Sequence, residues 1–232
     1  MRVIAVLLAL VFSFLSSPLQ AEAASLETQV LQIIRDHPEA ILESVQSYEV
    51  KQRQARQQEQ QVALQQIPPE TLVGASPVQG AANKTLLIEF SDFECPFCAD
   101  AAQDVRQFVE QHPKQVTFVY KHFPLTRIHD QAQSAAQAAW AAQQQGQFWA
   151  YHDALFAKQD QLGESRYVEI AQQLRLDVKQ FNRDRNSPEA VAVIEADLAL
   201  GEQVGIGGTP FFVLGDQVLD LPLDPIAMEK LL

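Results

Sequence analysis

Cysteine is almost missing from this chain of 232 residues, which has only two, Cys95 and Cys98. An exported fold held by disulfides would scatter its cysteines along the chain. A loop enclosing two residues is too small to staple a fold, because the entropy removed from the unfolded chain grows with loop length. The pair therefore serves chemistry or a metal. Positive charge is also scarce: 17 Lys and Arg face 29 Asp and Glu, a formal charge of -12. A nucleic-acid partner would want a basic stripe, so that class is set aside. Past the first residues no apolar run is long enough to span a bilayer. Internal repeats are absent too. What is left suits one globular domain of about 150 residues with an appendage.

The first residues are the exception to this lack of long apolar runs. Met1-Arg2 is a short basic start, Val3 to Leu15 is almost unbroken apolar sequence, and Ser16-Ser17-Pro18 and Ala21-Glu22-Ala23-Ala24 follow. That order predicts a secretory signal peptide over residues 1–23, cleaved after Ala21 or Ala23. An uncleaved membrane anchor is the alternative, against which the run is short for a span of about 20 residues. The mature protein is expected to be periplasmic or secreted.

Residues 24–70 are expected to form an N-terminal helical segment. Leu26, Val30, Ile33 and Ile34 recur at helical spacing, as do Ile41, Leu42, Val45 and Tyr48. Asp36-His37-Pro38-Glu39 interrupts them, and a proline suits a first turn, so two helices are predicted. From Lys51 to Gln66 only Val62 and Leu64 are strongly apolar. A helix that polar is a solvated spacer, lies on a partner, or is a loose arm. Pro68-Pro69 ends it, and Val73 to Asn83 reads as a linker.

The second domain, residues 71–232, begins with a short apolar strand, Thr85-Leu-Leu-Ile-Glu-Phe90. Cys95-Pro-Phe-Cys98 follows, then a helix over Ala99 to Gln111 with Val105, Phe108 and Val109 inward, then a strand, Gln115 to Tyr120. Strand, helix, strand makes a βαβ unit with a parallel pair. A helical insertion is expected over about 128–203, with Trp140, Phe148, Trp149, Leu155 and Phe156 in its core. Gly215-Asp216 between Phe211–Leu214 and Gln217–Leu221 predicts a hairpin, and a short helix closes the chain. The fold class is α/β.

A C-x-x-C at a strand-to-helix junction puts Cys95 at the helix start and Cys98 about one turn inside. The free N–H groups and dipole of that end favour an anion, so Cys95 is the expected nucleophile. Cys98, shielded but near, resolves the mixed disulfide. Pro96 suits the first helical position, and Phe97 offers the thiolate an apolar face and no hydrogen bond. Glu89 is the one charged residue of its strand. If buried, its pKa rises and it can take the Cys98 proton; if it faces an edge, it is merely solvated. Thr209-Pro210 opens an apolar strand, where a cis bond would present the Thr209 backbone to an extended substrate; most X-Pro bonds are trans. Structural zinc wants four Cys or His ligands, and no second pair exists; His122 lies just after the second strand, and His129 and His152 read as core or surface residues. Two thiolates could still hold Cu(I).

Ile88-Glu-Phe-x-Asp-x-x-Cys-Pro-x-Cys98, Tyr120-Lys-His-Phe-Pro124 and Gly208-Thr-Pro-Phe-Phe212 together resemble the DsbA-like thiol–disulfide oxidoreductases, as do Gln147-Phe-Trp-x-x-His152 and Leu155-Phe156. The resemblance covers residues 75 to 232. It implies a thioredoxin fold with an inserted helical domain and no cofactor. It also implies a nucleophilic Cys95, a resolving Cys98, Glu89 as buried acid, Pro210 as cis-proline, and Pro96, Phe97 and Thr209 beside the substrate. Its expected partners are exported proteins carrying thiols or disulfides, and a membrane redox protein. Phe97 stands where the oxidases of the family have His, and Thr209 resembles the isomerase members, so a milder exchanger is implied. Ile33-Ile-Arg-x-His-Pro-Glu-Ala-Ile41 resembles the N-terminal segment of ScsC-like proteins, which implies a homo-oligomer through residues 26–66. A thiol reductase, a copper-binding protein and a chaperone-like binding module are the competing functions.

Overall fold

The structure is a computed structural model that describes residues 18–232, with side chains from Leu26 onward. Most of the expected signal peptide thus lies outside the described residues. The chain forms two units, one ending at Ala55 and the other running from Arg56 to Leu232.

Two helices, α1 (Pro18–Asp36) and α2 (Pro38–Gln65), meet at His37. Pro38 disfavours the helical region for the residue before it and fits the first position of a new helix, which sets the break. The apolar residues over 26–48 are not covered: Leu26, Val30, Ile33, Ile41, Leu42 and Tyr48 are all exposed.

The second unit takes in the end of α2 and continues with α3 (Pro69–Val73) and β1 (Val78–Gly80), followed by β2 (Thr85–Ser91), α4 (Pro96–Gln111) and β3 (Val116–His122). Five helices come next: α5 (Ala132–Gln143), α6 (Phe148–Phe156), α7 (Glu164–Gln173), α8 (Val178–Arg185) and α9 (Pro188–Val204). Strands β4 (Phe211–Leu214) and β5 (Gln217–Val218) and helix α10 (Pro225–Glu229) complete it. The sheet order is β1-β3-β2-β4-β5. β2 and β3 pair in parallel from Thr85 opposite Val116 to Ser91 opposite His122, and the other pairs are antiparallel. Strands at the centre of such a sheet are covered on both faces and read as continuous apolar runs. All seven residues of β3 are buried accordingly, including His122, two residues beyond the strand end expected from sequence.

β1 falls in the stretch whose sequence predicts a linker. It is three residues long and ends at Gly80, whose φ is +89°; a Cβ there would come within 2.5 Å of the Val116 carbonyl. Glycine alone allows that approach. The apolar end of α2 also departs from expectation. Leu64, Ile67 and Leu72 pack with Ile88, Phe90 and Val119 on one face of the sheet, so the stretch before residue 70 contributes to the core of the second unit. The polar pattern around Leu64 hides this.

The other face holds α4, where Val105, Phe108 and Val109 meet Leu87, Phe118 and Phe212. The insertion has its own core. Seven alanines of α5 are buried, and small side chains let Phe148, Tyr151, Leu155, Tyr167 and Phe181 close around it. Trp149 and Phe156 pack at its margin, while Trp140 is only partly buried. Two features fix the insertion to the sheet. Gly201 of α9 lies so near the Phe123 ring that a Cβ would come within 2.5 Å. Buried Asp197 accepts from Lys121 Nζ at 2.9 Å and from the His122 N–H at 3.0 Å. Removing one partner of such a pair costs about 3–5 kcal/mol, because the other charge is left buried and unpaired.

Candidate redox site

β2 delivers the chain to the loop Asp92–Glu94, and Cys95 caps α4 with extended backbone (φ -75°, ψ 120°). Pro96 takes the first helical position, and the Cys98 and Ala99 N–H groups both donate to the Cys95 carbonyl, at 3.1 and 3.3 Å. Both cysteines are free thiols. Cys98 is fully buried and Cys95 is 4% exposed, whereas Phe97 on the rim is 67% exposed. The Thr209–Pro210 bond is cis, as is Leu221–Pro222. The Thr209 carbonyl accepts from the Cys95 thiol at 3.3 Å. Residues 89, 95–98 and 209–210, far apart in sequence, thus converge at the ends of β2 and β4.

The two sulfurs differ in environment. The Cys98 thiol stabilises a Cys95 thiolate most, partial burial opposes this, and Thr209 with the N–H groups of Cys98 and Phe97 adds to it, so the Cys95 pKa falls to about 5. Cys98 is pushed well above the ordinary thiol range by burial, and the hydrogen bond with Cys95 and the Glu89 charge push the same way. An acidic thiol at a helix start is the attacking kind, and a buried neutral one needs a base before it reacts.

Glu89 lies in the central strand, opposite Tyr120 on β3 and Phe212 on β4, with 1% of its surface exposed. The alternative of a solvated edge position does not apply. Burial raises its pKa to about 7; nearby Ser91 works against the rise and the Cys95 charge adds to it. A cavity of about 140 Å³ reaches Glu89 past the Arg106–Asp153 ion pair (2.7 Å) and Trp149. Around the same floor lie Ser91, Tyr120, His122 and His152, all buried. Burial, with Lys121 and His152 adding to it, lowers His122 to about 3; burial also lowers His152, against the pull of Asp153. Both imidazoles are therefore neutral. Among the described residues no group of three or more His, Cys, Asp or Glu is arranged to hold a metal ion.

Residues outside the motif tetrapeptide hold this loop. Gln159, in the turn after α6, donates to the carbonyls of Phe93 and Cys95, both at 2.8 Å. Glu94 accepts from the Gln131 N–H. Asp92 accepts from the Glu94 and Leu125 N–H groups at 2.8 Å and from His129 Nδ1 at 2.7 Å. Asp92 stood in the motif pattern without a role. Nothing local marks Gln159 or His129, whose partners lie dozens of residues away.

With this geometry in view, the chain can be set against known proteins. A family model described as thioredoxin matches residues 73–232. A solved thioredoxin-like oxidoreductase from Silicibacter pomeroyi is 30% identical, superposes with a TM-score of 0.62, and the match covers 71% of this chain and 95% of that one. A linker-deletion variant of ScsC from Proteus mirabilis shares the fold at 23% identity and a TM-score of 0.66, covering 90% of this chain and 93% of its own. Among curated proteins, the Na(+)/H(+) antiporter NhaA 3 of Salinispora tropica is 38% identical over 130 residues, 56% of this chain and 20% of the antiporter. The chain spans about a fifth of that relative, and ion transport is not carried over with the match. By its motifs, its sheet and its inserted helices, the chain belongs to the thioredoxin family and has the DsbA-like architecture.

Proposed function

We propose that this thiol–disulfide oxidoreductase rearranges or forms disulfides in exported proteins, with Cys95 attacking and Cys98 resolving. The observation that carries the reading is the unequal pair: an acidic sulfur at the start of α4 and a buried one a turn deeper, near a buried carboxyl. In the reductive half, the Cys95 thiolate attacks a client disulfide, a mixed disulfide forms, and one client thiolate leaves. Ionised Glu89 then takes the Cys98 proton. Cys98 attacks the Cys95 sulfur, the second client thiolate is expelled, and the pair is oxidised while the client gains two electrons. The oxidative half is the reverse, begun by a client thiolate. The cavity beside Glu89 gives its proton a way to solvent. The Thr209 backbone is the docking edge for an extended client segment, with Pro96 and Phe97 on the rim.

The Phe97 ring gives the thiolate neither charge nor hydrogen bond, which favours a milder exchanger over a strong oxidant. Isomerisation fits that poise, and a membrane redox protein would reset the pair. Export rests on the leader-like residues 1–23. The exposed apolar residues of α1 and α2 suit self-association, which gathers several redox sites around one misfolded client.

Purified protein should reactivate scrambled ribonuclease or oxidise a reduced client; failure in both assays overturns the reading. Stoichiometric Cu(I) binding abolished by Cys95→Ser, without turnover, would replace it with the metal reading. Sedimentation of the chain from residue 24 should show an oligomer that becomes monomeric on removing residues 24–55. The cut stops there because Leu64 and Ile67 belong to the catalytic core.

A further inference from the structure

Asp92 is the most heavily engaged side chain at the site, and the exchange chemistry makes no direct use of it. Its carboxylate is fully buried and takes three donors: the Glu94 N–H, the Leu125 N–H and His129 Nδ1. The backbone of the same residue braces both cysteines. The Cys95 N–H donates to the Asp92 carbonyl at 3.1 Å, and the Asp92 N–H points at Cys98 Sγ at 3.5 Å. The Asp92 carboxylate is thereby fixed in the loop that leads into Cys95.

His129 is the one of the three donors whose charge can change. It sits on the loop between β3 and α5, 37 residues from Asp92 in sequence, and its side chain is 16% exposed, enough to exchange a proton with solvent. We propose that His129 is a positioning residue of the redox pair that acts through Asp92: as an imidazolium it cancels the carboxylate charge beside Cys95, and so sets how readily Cys95 forms its thiolate. When His129 loses its proton, the two backbone donors still hold Asp92, but the carboxylate charge is uncompensated. A like charge nearby disfavours the thiolate. The groups acting on His129 are Asp92 and Glu94 of the motif loop and Cys95 itself, with Arg127 and Asp130 its neighbours on its own loop. Burial pulls its pKa down, yet the Asp92 hydrogen bond and charge, with Cys95 and Glu94, leave it raised. The coupling is reciprocal, so the Cys95 charge must shift His129 as much as His129 shifts Cys95.

The inference rests on Cys95 being the attacking thiolate, and two measurements separate its failure from the failure of that reading. In the wild-type protein, the ring-proton NMR titration of His129, assigned with His129→Gln, should have a midpoint about one pH unit higher in the reduced than in the oxidised state, tenfold in protonation at fixed pH. Equal midpoints overturn the proposal with no variant needing to fold. The ultraviolet absorbance of the thiolate then gives the reciprocal result. His129→Gln should raise the Cys95 midpoint, and His129→Gln with Asp92→Asn should return it towards wild type, because the uncompensated charge is gone. A midpoint unmoved by His129→Gln, or unrestored in the double variant, overturns the proposal. A wild-type protein with no acidic thiolate step at all instead strikes the reading of Cys95.

Discussion

The mouth and the floor of the redox site lie within one helical turn of each other and obey different electrostatics. At the mouth, Cys95 faces N–H groups of a helix start, the Thr209 carbonyl and the exposed ring of Phe97. Charge there is tolerated, and the thiol is acidic. On the floor, Cys98 of α4 and Glu89, Ser91 and Tyr120 of the strands are buried, and burial penalises the charged forms of Cys98, Glu89 and Tyr120. Two identical side chains thus become a nucleophile and a dormant thiol through their surroundings: the Cys98 thiol, Thr209 and the helix-start N–H groups favour the Cys95 thiolate, and burial disfavours that of Cys98. Depth also makes them sequential, because the floor reacts only after a proton has moved.

The strongest way to break the comparison is to remove one sulfur at a time. Cys95→Ser should abolish exchange, whereas Cys98→Ser should still attack and accumulate a mixed disulfide with a client, visible on a non-reducing gel. If Cys98→Ser yields no adduct, the two roles are not divided by depth. Next in size is Glu89→Gln, which should slow the resolving step on the order of a hundredfold at neutral pH and flatten its pH dependence near 7, read in stopped-flow decay of the mixed disulfide.

The same residue should leave a mark on stability. Its pKa rises from an ordinary 4.5 to about 7 on folding, so folding takes up a proton between those values. The stability this provides is fully present below pH 4.5 and is lost as pH rises through 7. The gap is worth about 3 kcal/mol, so Glu89→Gln should be more stable than wild type by that order at pH 8 and no more stable at pH 4, in urea melts at the two pH values. The smallest change belongs to the mouth. Phe97→His should lower the Cys95 pKa by less than about one unit, because a rim position is screened by solvent. An unshifted thiolate titration would mean that the rim contributes nothing.

Much of this was legible because its signals are local. The β2 strand, the motif at the start of α4, the parallel partner β3 and the Gly215-Asp216 hairpin each declare themselves within a dozen residues, and the structure has them all. The break at Pro38 is of the same kind. What escaped depends on distant partners. β1 has three residues and an irregular glycine, and its strand character comes from Val119, Phe118 and Thr117 opposite it. Leu64 and Ile67 look like strays in a polar helix until Ile88 and Phe90 meet them. Glu89 could be singled out as a lone charge in an apolar strand, though only the sheet order fixes its burial. Asp92 has a place in the motif but no visible partner, and His129 and Gln159 offer no periodicity or spacing, since their significance lies in a loop folded back from the insertion.

Gln159 carries a consequence for how this site could be moved or copied. One side chain from the inserted helices holds two carbonyls of the catalytic loop, and Gln131 and His129 hold two of its acids. The tetrapeptide Cys-Pro-Phe-Cys is therefore not a portable cassette. Grafted onto a thioredoxin scaffold without these helices, it would keep its letters and lose its tethers. A swap that carries residues 129–159 along with the loop should transplant far better than one that carries the motif alone.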